Sequence, residues 1–188
     1  SVGAGSTTRL VIDFDLRKSV IAPPGRAPNF ILKPTLRLVD ELETGTISGD
    51  IEVAYLAEQL GVADGETCVP GVYLFRGGDA TPDDADRVME DGVDPILYAR
   101  PEANAEGIAS YMFSFVPESR EGVTDDDYTV AFTCNADVDA FPDANEYDPG
   151  AAEGEPGFET MAWVKARNVF VAADETTEVD YLAPPPSD

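Results

Sequence analysis

The residues of this chain that are best suited to chemistry are its carboxylates. The chain has 37 Asp and Glu against 12 Lys and Arg, a net charge of −25 at pH 7, and no His. Calcium takes six to eight oxygen ligands, which carboxylates and backbone carbonyls supply. Residues 79–94 and 136–159 are the two segments with that composition. The candidate calcium ligands within them are Asp83, Asp84, Asp86, Asp137, Asp139 and Asp143.

Both acidic segments also have a simpler interpretation. Neither has the EF-hand spacing, because the required glycine and the bidentate glutamate are missing at their fixed offsets. An excess of carboxylates keeps a surface hydrated and suits a saline setting. We therefore predict no resident cofactor, and calcium is the one cofactor that the sequence leaves open.

The composition argues against catalysis. Without His there is no general base for a Ser–His–Asp triad. Two cysteines without His are too few ligands for a zinc site. Some pair among the 37 acids would reach the separation that glycoside hydrolysis needs by chance, so no pair can be singled out. We predict that the chain is not an enzyme.

Charge and cysteine content bear on partners and location. A net charge of −25 repels nucleic acid and anionic membrane surfaces. The chain has no apolar run long enough to span a bilayer, so we predict no transmembrane segment. Cys68 and Cys134 are the only cysteines, and each adjoins an apolar strand pattern. A disulfide between them, in an extracellular or cell-surface protein, is predicted because such bonds persist outside reducing compartments. The chain begins at Ser1, so we expect a processed or excised piece.

The elements that must position these residues are strands. Short segments rich in β-branched and aromatic residues are bounded by Gly, Pro, Asp or Asn. Helical periodicity is confined to two short segments, 54–60 and 83–90. The pattern predicts an all-β fold, an antiparallel β-sandwich of the transthyretin or immunoglobulin type preceded by an N-terminal two-stranded hairpin. The predicted strands of the sandwich are 47–54, 69–76, 110–116, 128–135, 161–172 and 176–182.

The N-terminal hairpin is predicted from two alternating segments, 10–21 and 30–39, with prolines and a glycine between them. A period of two is typical of a half-buried strand. An isolated two-stranded hairpin is marginal in water, so these strands must contact something else. The apolar positions that we predict to mediate this contact are Leu10, Ile12, Phe14, Leu16, Phe30, Leu32, Leu36 and Leu38.

Composition also divides the chain. Residues 40–46 are acidic and contain a glycine, which predicts a short linker. The predicted units are therefore a strand pair over 1–46, a sandwich over 47–183 and a proline-rich tail over 184–188.

Two stretches resemble known families. The strings DFDLRKSVI and NFILKPTLRLVD, within about residues 5–48, resemble the C-terminal strands of a bacterial envelope lipoprotein family whose domain has no assigned function. This resemblance implies a bacterial envelope location and a larger N-terminal portion, and it implies no activity. The strings SGDIE, CVPGVYLFRGGD, SYMFSFVP, DDYTVAFTC and VFVAADETTEVDYL, over about 47–183, are similar to transthyretin-like and carboxypeptidase-regulatory-like sandwiches. That similarity implies fold alone.

Two functional hypotheses follow. Strands with unpaired edges can add to another copy, and a head-to-tail contact of this kind gives a filament. The sequence therefore predicts a self-assembling structural protein of the cell surface. The alternative is a monomeric, surface-displayed module that binds calcium, carbohydrate or a basic protein. In that case the N-terminal strands would pack on the chain's own sandwich or on a missing N-terminal half.

Overall fold

The computed structural model describes residues 8–15, 19–21, 31–84, 93–119, 128–137, 139 and 161–185. The predicted all-β fold is confirmed, and the named elements of the described part include one short α-helix, α1, at Val53–Gln59. The strands are β1 Leu10–Asp15, β2 Val20–Ile21, β3 Ile31–Leu32, β4 Thr35–Asp40, β5 Thr44–Glu52, β6 Gly71–Arg76, β7 Leu97–Ala99, β8 Ile108–Pro117, β9 Tyr128–Thr133, β10 Val164–Val169 and β11 Thr176–Glu178.

Two sheets pack face to face around one core. The four-stranded sheet has the order β10-β9-β6-β7, and the three-stranded sheet has the order β11-β5-β8. Their inner faces bury Ile47 and Phe113 against Leu74 and Phe132. Strands β6 and β9 are buried on both faces apart from Arg76 at the end of β6. That burial explains why both strands read as nearly continuous apolar runs rather than as alternating ones.

One strand departs from the predicted antiparallel arrangement. Strand β11 runs parallel to β5, with Thr176 opposite Thr46, so the three-stranded sheet is mixed. The chain reaches β11 from β10 at the edge of the other sheet, and this crossing delivers β11 in the same direction as β5. A close approach follows, because a Cβ atom at Gly49 would collide with the carbonyl oxygen of Val179.

Several predicted boundaries shift. The predicted helix 54–60 is found one residue earlier as α1, whereas part of the predicted helix 83–90 lies outside the described residues. Strand β7 was not predicted, because three residues are too few for a periodic pattern. The predicted linker 40–46 is too long: a single 3-10 turn at Glu41–Glu43 joins β4 to β5, which begins at Thr44.

The N-terminal hairpin forms as predicted. Strand β1 pairs antiparallel with β4 from Leu10 opposite Asp40 to Asp15 opposite Thr35. Strands β2 and β3 form a separate antiparallel pair further along the same two segments, with Val20 opposite Leu32. We use "the hairpin" for β1 to β4 and "the body" for the chain from residue 41 onward.

Candidate interaction surface

The outer face of the hairpin is apolar and exposed. Ile12 lies opposite Leu38, and Phe14 lies opposite Leu36. The exposed fraction is 66% for Ile12, 60% for Leu38 and 37% for Phe14. The outer face comprises the side chains of Leu10, Ile12, Phe14, Leu36 and Leu38. Large contiguous apolar surfaces on soluble proteins mark interaction sites, so this face is the leading candidate.

Of the other three predicted contact residues, only Leu32 lies within the described part of the chain. Leu32, together with its neighbour Ile31, is exposed at the β2–β3 end of the hairpin. Leu16 and Phe30 lie outside the described residues.

The inner face of the hairpin is fastened to the body. The guanidinium of Arg37 forms an ion pair with Asp13 at 3.0 Å and donates a hydrogen bond to the carbonyl oxygen of Phe115 at 2.9 Å. Val39 is buried on the same face. Near the start of β1, the backbone N–H of Glu41 donates to the carbonyl oxygen of Arg9 at 2.9 Å. These contacts give the outer face a defined direction away from the body.

A β-bulge in β8 supplies the acceptor for Arg37. Ser114 and Phe115 together face Thr46, since the register shifts between the pairs Gly45–Val116 and Ile47–Phe113. Phe115 has a φ of +56°, a left-handed conformation that is unfavourable for a bulky residue. A cleft of about 290 Å³ lies beside the bulge and is lined in part by Glu41, Asp174 and Glu175.

The edges of the hairpin also bear on association. Within the described residues, β1 and β4 have only each other as strand neighbours. Each strand therefore has one side with backbone groups that no described strand pairs, which is a template for another strand.

The outer face of the four-stranded sheet is apolar as well, and it is covered. Tyr73 and Phe75 are fully buried, and the ring of Trp163 meets that of Tyr73 edge-on at 4.9 Å between centroids. Ala80 packs in the same cluster, and the phenol of Tyr73 donates a hydrogen bond to Asp139. Ala80 and Asp139 come from the two acidic segments, so the described part of each segment contributes one residue to this face.

The predicted calcium ligands fall in different environments. Asp83, Asp84 and Asp139 are buried, and Asp137 is exposed. Asp86 and Asp143 lie outside the described residues. Among the residues that the structure describes, no three His, Cys, Asp or Glu side chains are placed to hold a metal ion. Calcium binding at the acidic segments stays a prediction.

The two cysteines are bonded to each other, as the sequence predicts. The Cα atoms of Cys68 and Cys134 are 4.5 Å apart. Next to the bond, the N–H of Val69 donates to the carbonyl oxygen of Cys134 at 2.8 Å. The bond therefore ties the segment before β6 to the end of β9, and both cysteines pack in the core between the two sheets.

The outer face of the three-stranded sheet carries polar side chains and one large apolar one. Glu178, Ser48 and Met112 form one row across its three strands. In the next row the carboxylate of Asp50 accepts a hydrogen bond from the hydroxyl of Ser110 at 2.6 Å. Asp180 accepts from the backbone N–H of Asp50 at 2.9 Å. We call these six residues the open face.

The open face lies above a buried tyrosine. The phenol of Tyr111 donates a hydrogen bond to the carbonyl oxygen of Val179 at 2.7 Å. Burial raises the pKa of Tyr111 well above its usual value, and the nearby charge of Asp180 raises it further. The charge of Asp180 on the open face therefore acts on the buried phenol of Tyr111.

Comparison with known proteins leaves the family open. No family model matches the chain, and no significant match exists among curated proteins or solved structures. No helix in the described part of the chain is long and apolar enough to cross a membrane. The two family resemblances therefore stay predictions.

Sequence reasoning missed the contact that orients the hairpin. Arg37 and Asp13 are opposite charges at paired positions of two predicted strands, which was a readable signal. The acceptor at Phe115 had no such signal, because a bulge with a left-handed phenylalanine follows no sequence pattern.

Proposed function

We propose that this chain is a non-catalytic structural protein of the cell surface or extracellular space that self-associates through its hairpin. The observation that carries this proposal is the apolar outer face, exposed on a hairpin that is fastened to the body by its other face. An apolar face fixed in this direction is suited to contact another molecule rather than the chain's own core.

The energetics favour association. Complete burial of a Leu, Ile or Phe side chain is worth about 1.5–3 kcal/mol relative to exposure. The five outer-face side chains are already partly covered, so each would contribute less than that. Lost translational and rotational freedom opposes association by roughly 4–15 kcal/mol. The outer face alone is therefore near the threshold, and backbone pairing at a free hairpin edge would add to it.

The form of the assembly follows from what the hairpin contacts. A hairpin that docks on a different surface of the next copy makes a head-to-tail contact, which extends as a filament when it does not close. The disulfide and the acidic surface are compatible with export into an oxidising, saline medium. The sequence resemblance adds a bacterial envelope as the proposed setting.

The test is a matched pair of full-length variants. Ile12→Ser with Leu38→Ser makes the outer face polar, whereas Phe170→Ser with Leu182→Ser removes exposed apolar side chains from the body. We expect wild type and the body variant to grow in mass with concentration and to form fibres under the electron microscope. The hairpin variant should stay monomeric. A monomeric wild type, or a hairpin variant that assembles as wild type does, would overturn the proposal.

A further inference from the structure

The structure points to the surface that receives the hairpin. Resting on the proposed self-association, we infer that the outer face of one copy docks on the open face of the three-stranded sheet of a second copy. This assigns the two sides of the contact to different parts of the chain.

The charge of the chain is divided sharply between hairpin and body. Residues 1–40 contain six of the 12 basic residues and three of the 37 acidic ones, a net charge of +3. Residues 41–188 consequently carry −28. Two bodies repel each other, and two hairpins repel each other weakly. Only the contact between a hairpin and the body of another copy brings opposite net charges together. Electrostatic attraction therefore favours this pairing over the other two.

The open face offers a complement to the hairpin. Met112 is 66% exposed, and Glu178 lies in its row while Asp50 and Asp180 lie in the next. The outer face of the hairpin is likewise apolar at its centre. The exposed cation Lys33 lies near one end, and Arg9, which is ion-paired with Glu41 at 3.6 Å and still largely exposed, lies near the other. An apolar contact surrounded by opposite charges has the composition of a protein interface, with its core apolar and its rim polar.

The other sheet does not offer such a surface. The outer face of the four-stranded sheet already buries Tyr73 and Phe75 against the side chains of Ala80, Met161 and Trp163. A hairpin could reach those aromatic rings only if these side chains first moved away. The open face needs no rearrangement, so rigid docking is sufficient.

The test uses a second pair of full-length variants. The acceptor variant, Met112→Lys with Glu178→Gln, adds two units of positive charge to the open face. The control variant, Asp64→Asn with Glu66→Gln, makes the same net change at exposed residues of a loop. We expect the acceptor variant to need a protein concentration more than tenfold higher than wild type in order to associate. The control variant should associate at the same concentration as wild type.

Mixing the variants separates the two levels of the proposal. The Ile12→Ser, Leu38→Ser variant keeps its open face, and the acceptor variant keeps its hairpin. Each alone should be monomeric, and an equimolar mixture should form a one-to-one complex that does not grow. An acceptor variant that associates like wild type would overturn the open face as acceptor and leave the proposed function standing. A monomeric wild type would overturn both.

Discussion

The outer face of the four-stranded sheet and the outer face of the hairpin share a composition and differ in cover. In the first, Phe75 is fully buried beneath other side chains of the same chain, among them Met161 and Trp163. In the second, Phe14 is 37% exposed, and the described residues supply no such cover. Both strand pairs place aromatic and aliphatic side chains on one face. The apolar pattern therefore indicates only that a face needs a partner, and the rest of the molecule decides whether the chain itself supplies it.

Residues from both acidic segments take part in the contacts on the outer face of the four-stranded sheet. These segments supply Ala80 and Asp139 to the covered face, so their role there is structural. A carboxylate that accepts from the buried Tyr73 satisfies a phenol that would otherwise be costly to bury.

The sharpest test of the comparison truncates the same residue type on each face. Phe75→Ala should lower the free energy of unfolding by about 3–5 kcal/mol, because it leaves a cavity in a packed cluster. Phe14→Ala should lower it by less than about 1 kcal/mol in the monomer, since its side chain is partly in water. Urea unfolding of dilute protein measures both values, and equal losses would contradict the comparison.

The disulfide should have the next largest effect, and only on the body. Replacing Cys68 and Cys134 by Ser opens a loop of 66 residues, which should destabilise the folded state by about 4 kcal/mol. Urea unfolding of this variant, compared with wild type under non-reducing conditions, measures the loss. Reductant should shift wild type towards the variant and leave the variant unchanged. A wild type whose unfolding does not respond to complete reduction would count against a stabilising bond.

Loosening the hairpin should cost less and act locally. Arg37→Gln removes the ion pair to Asp13 and weakens the bond to Phe115, which should cost about 1 kcal/mol at this partly exposed site. Amides of β1 and β4 should exchange hydrogen faster while those of β6 and β9 keep their rates. Lys33→Gln removes an exposed cation from the same hairpin and is the control. Equal acceleration in both variants would argue against the role of Arg37.

The smallest effect concerns the tyrosine beneath the open face. Burial raises the pKa of Tyr111 in the folded state, whereas a tyrosine in the unfolded chain has a pKa of about 10. Its contribution to stability is therefore complete below pH 10 and is lost as the pH rises above that value. Tyr111→Phe should cost about 1 kcal/mol at neutral pH through the lost hydrogen bond. The variant should also lose less stability than wild type in alkaline urea titrations. Identical alkaline losses would contradict the effect.

Much of this architecture could be predicted from sequence where one pattern dominated. Alternation gave the hairpin and its exposed apolar positions, and apolar runs gave β6 and β9. The parallel placement of β11 could not be predicted, because it depends on a crossing between sheets and on the space left by Gly49. The burial of Asp83, Asp84 and Asp139 was equally hidden, since a dense acidic segment reads as solvent-exposed. The partition of charge between hairpin and body was present in the sequence throughout.

The most direct measurement of the central claim is hydrogen exchange of the full chain at low and high concentration. If the outer face of one copy docks on the open face of a second copy, amides of β1, β4 and the part of β8 near Met112 should become more protected as the concentration rises. Amides of β6 and β9 should keep their protection, because their face is already covered within the chain. Exchange that is independent of concentration throughout the hairpin would contradict the account.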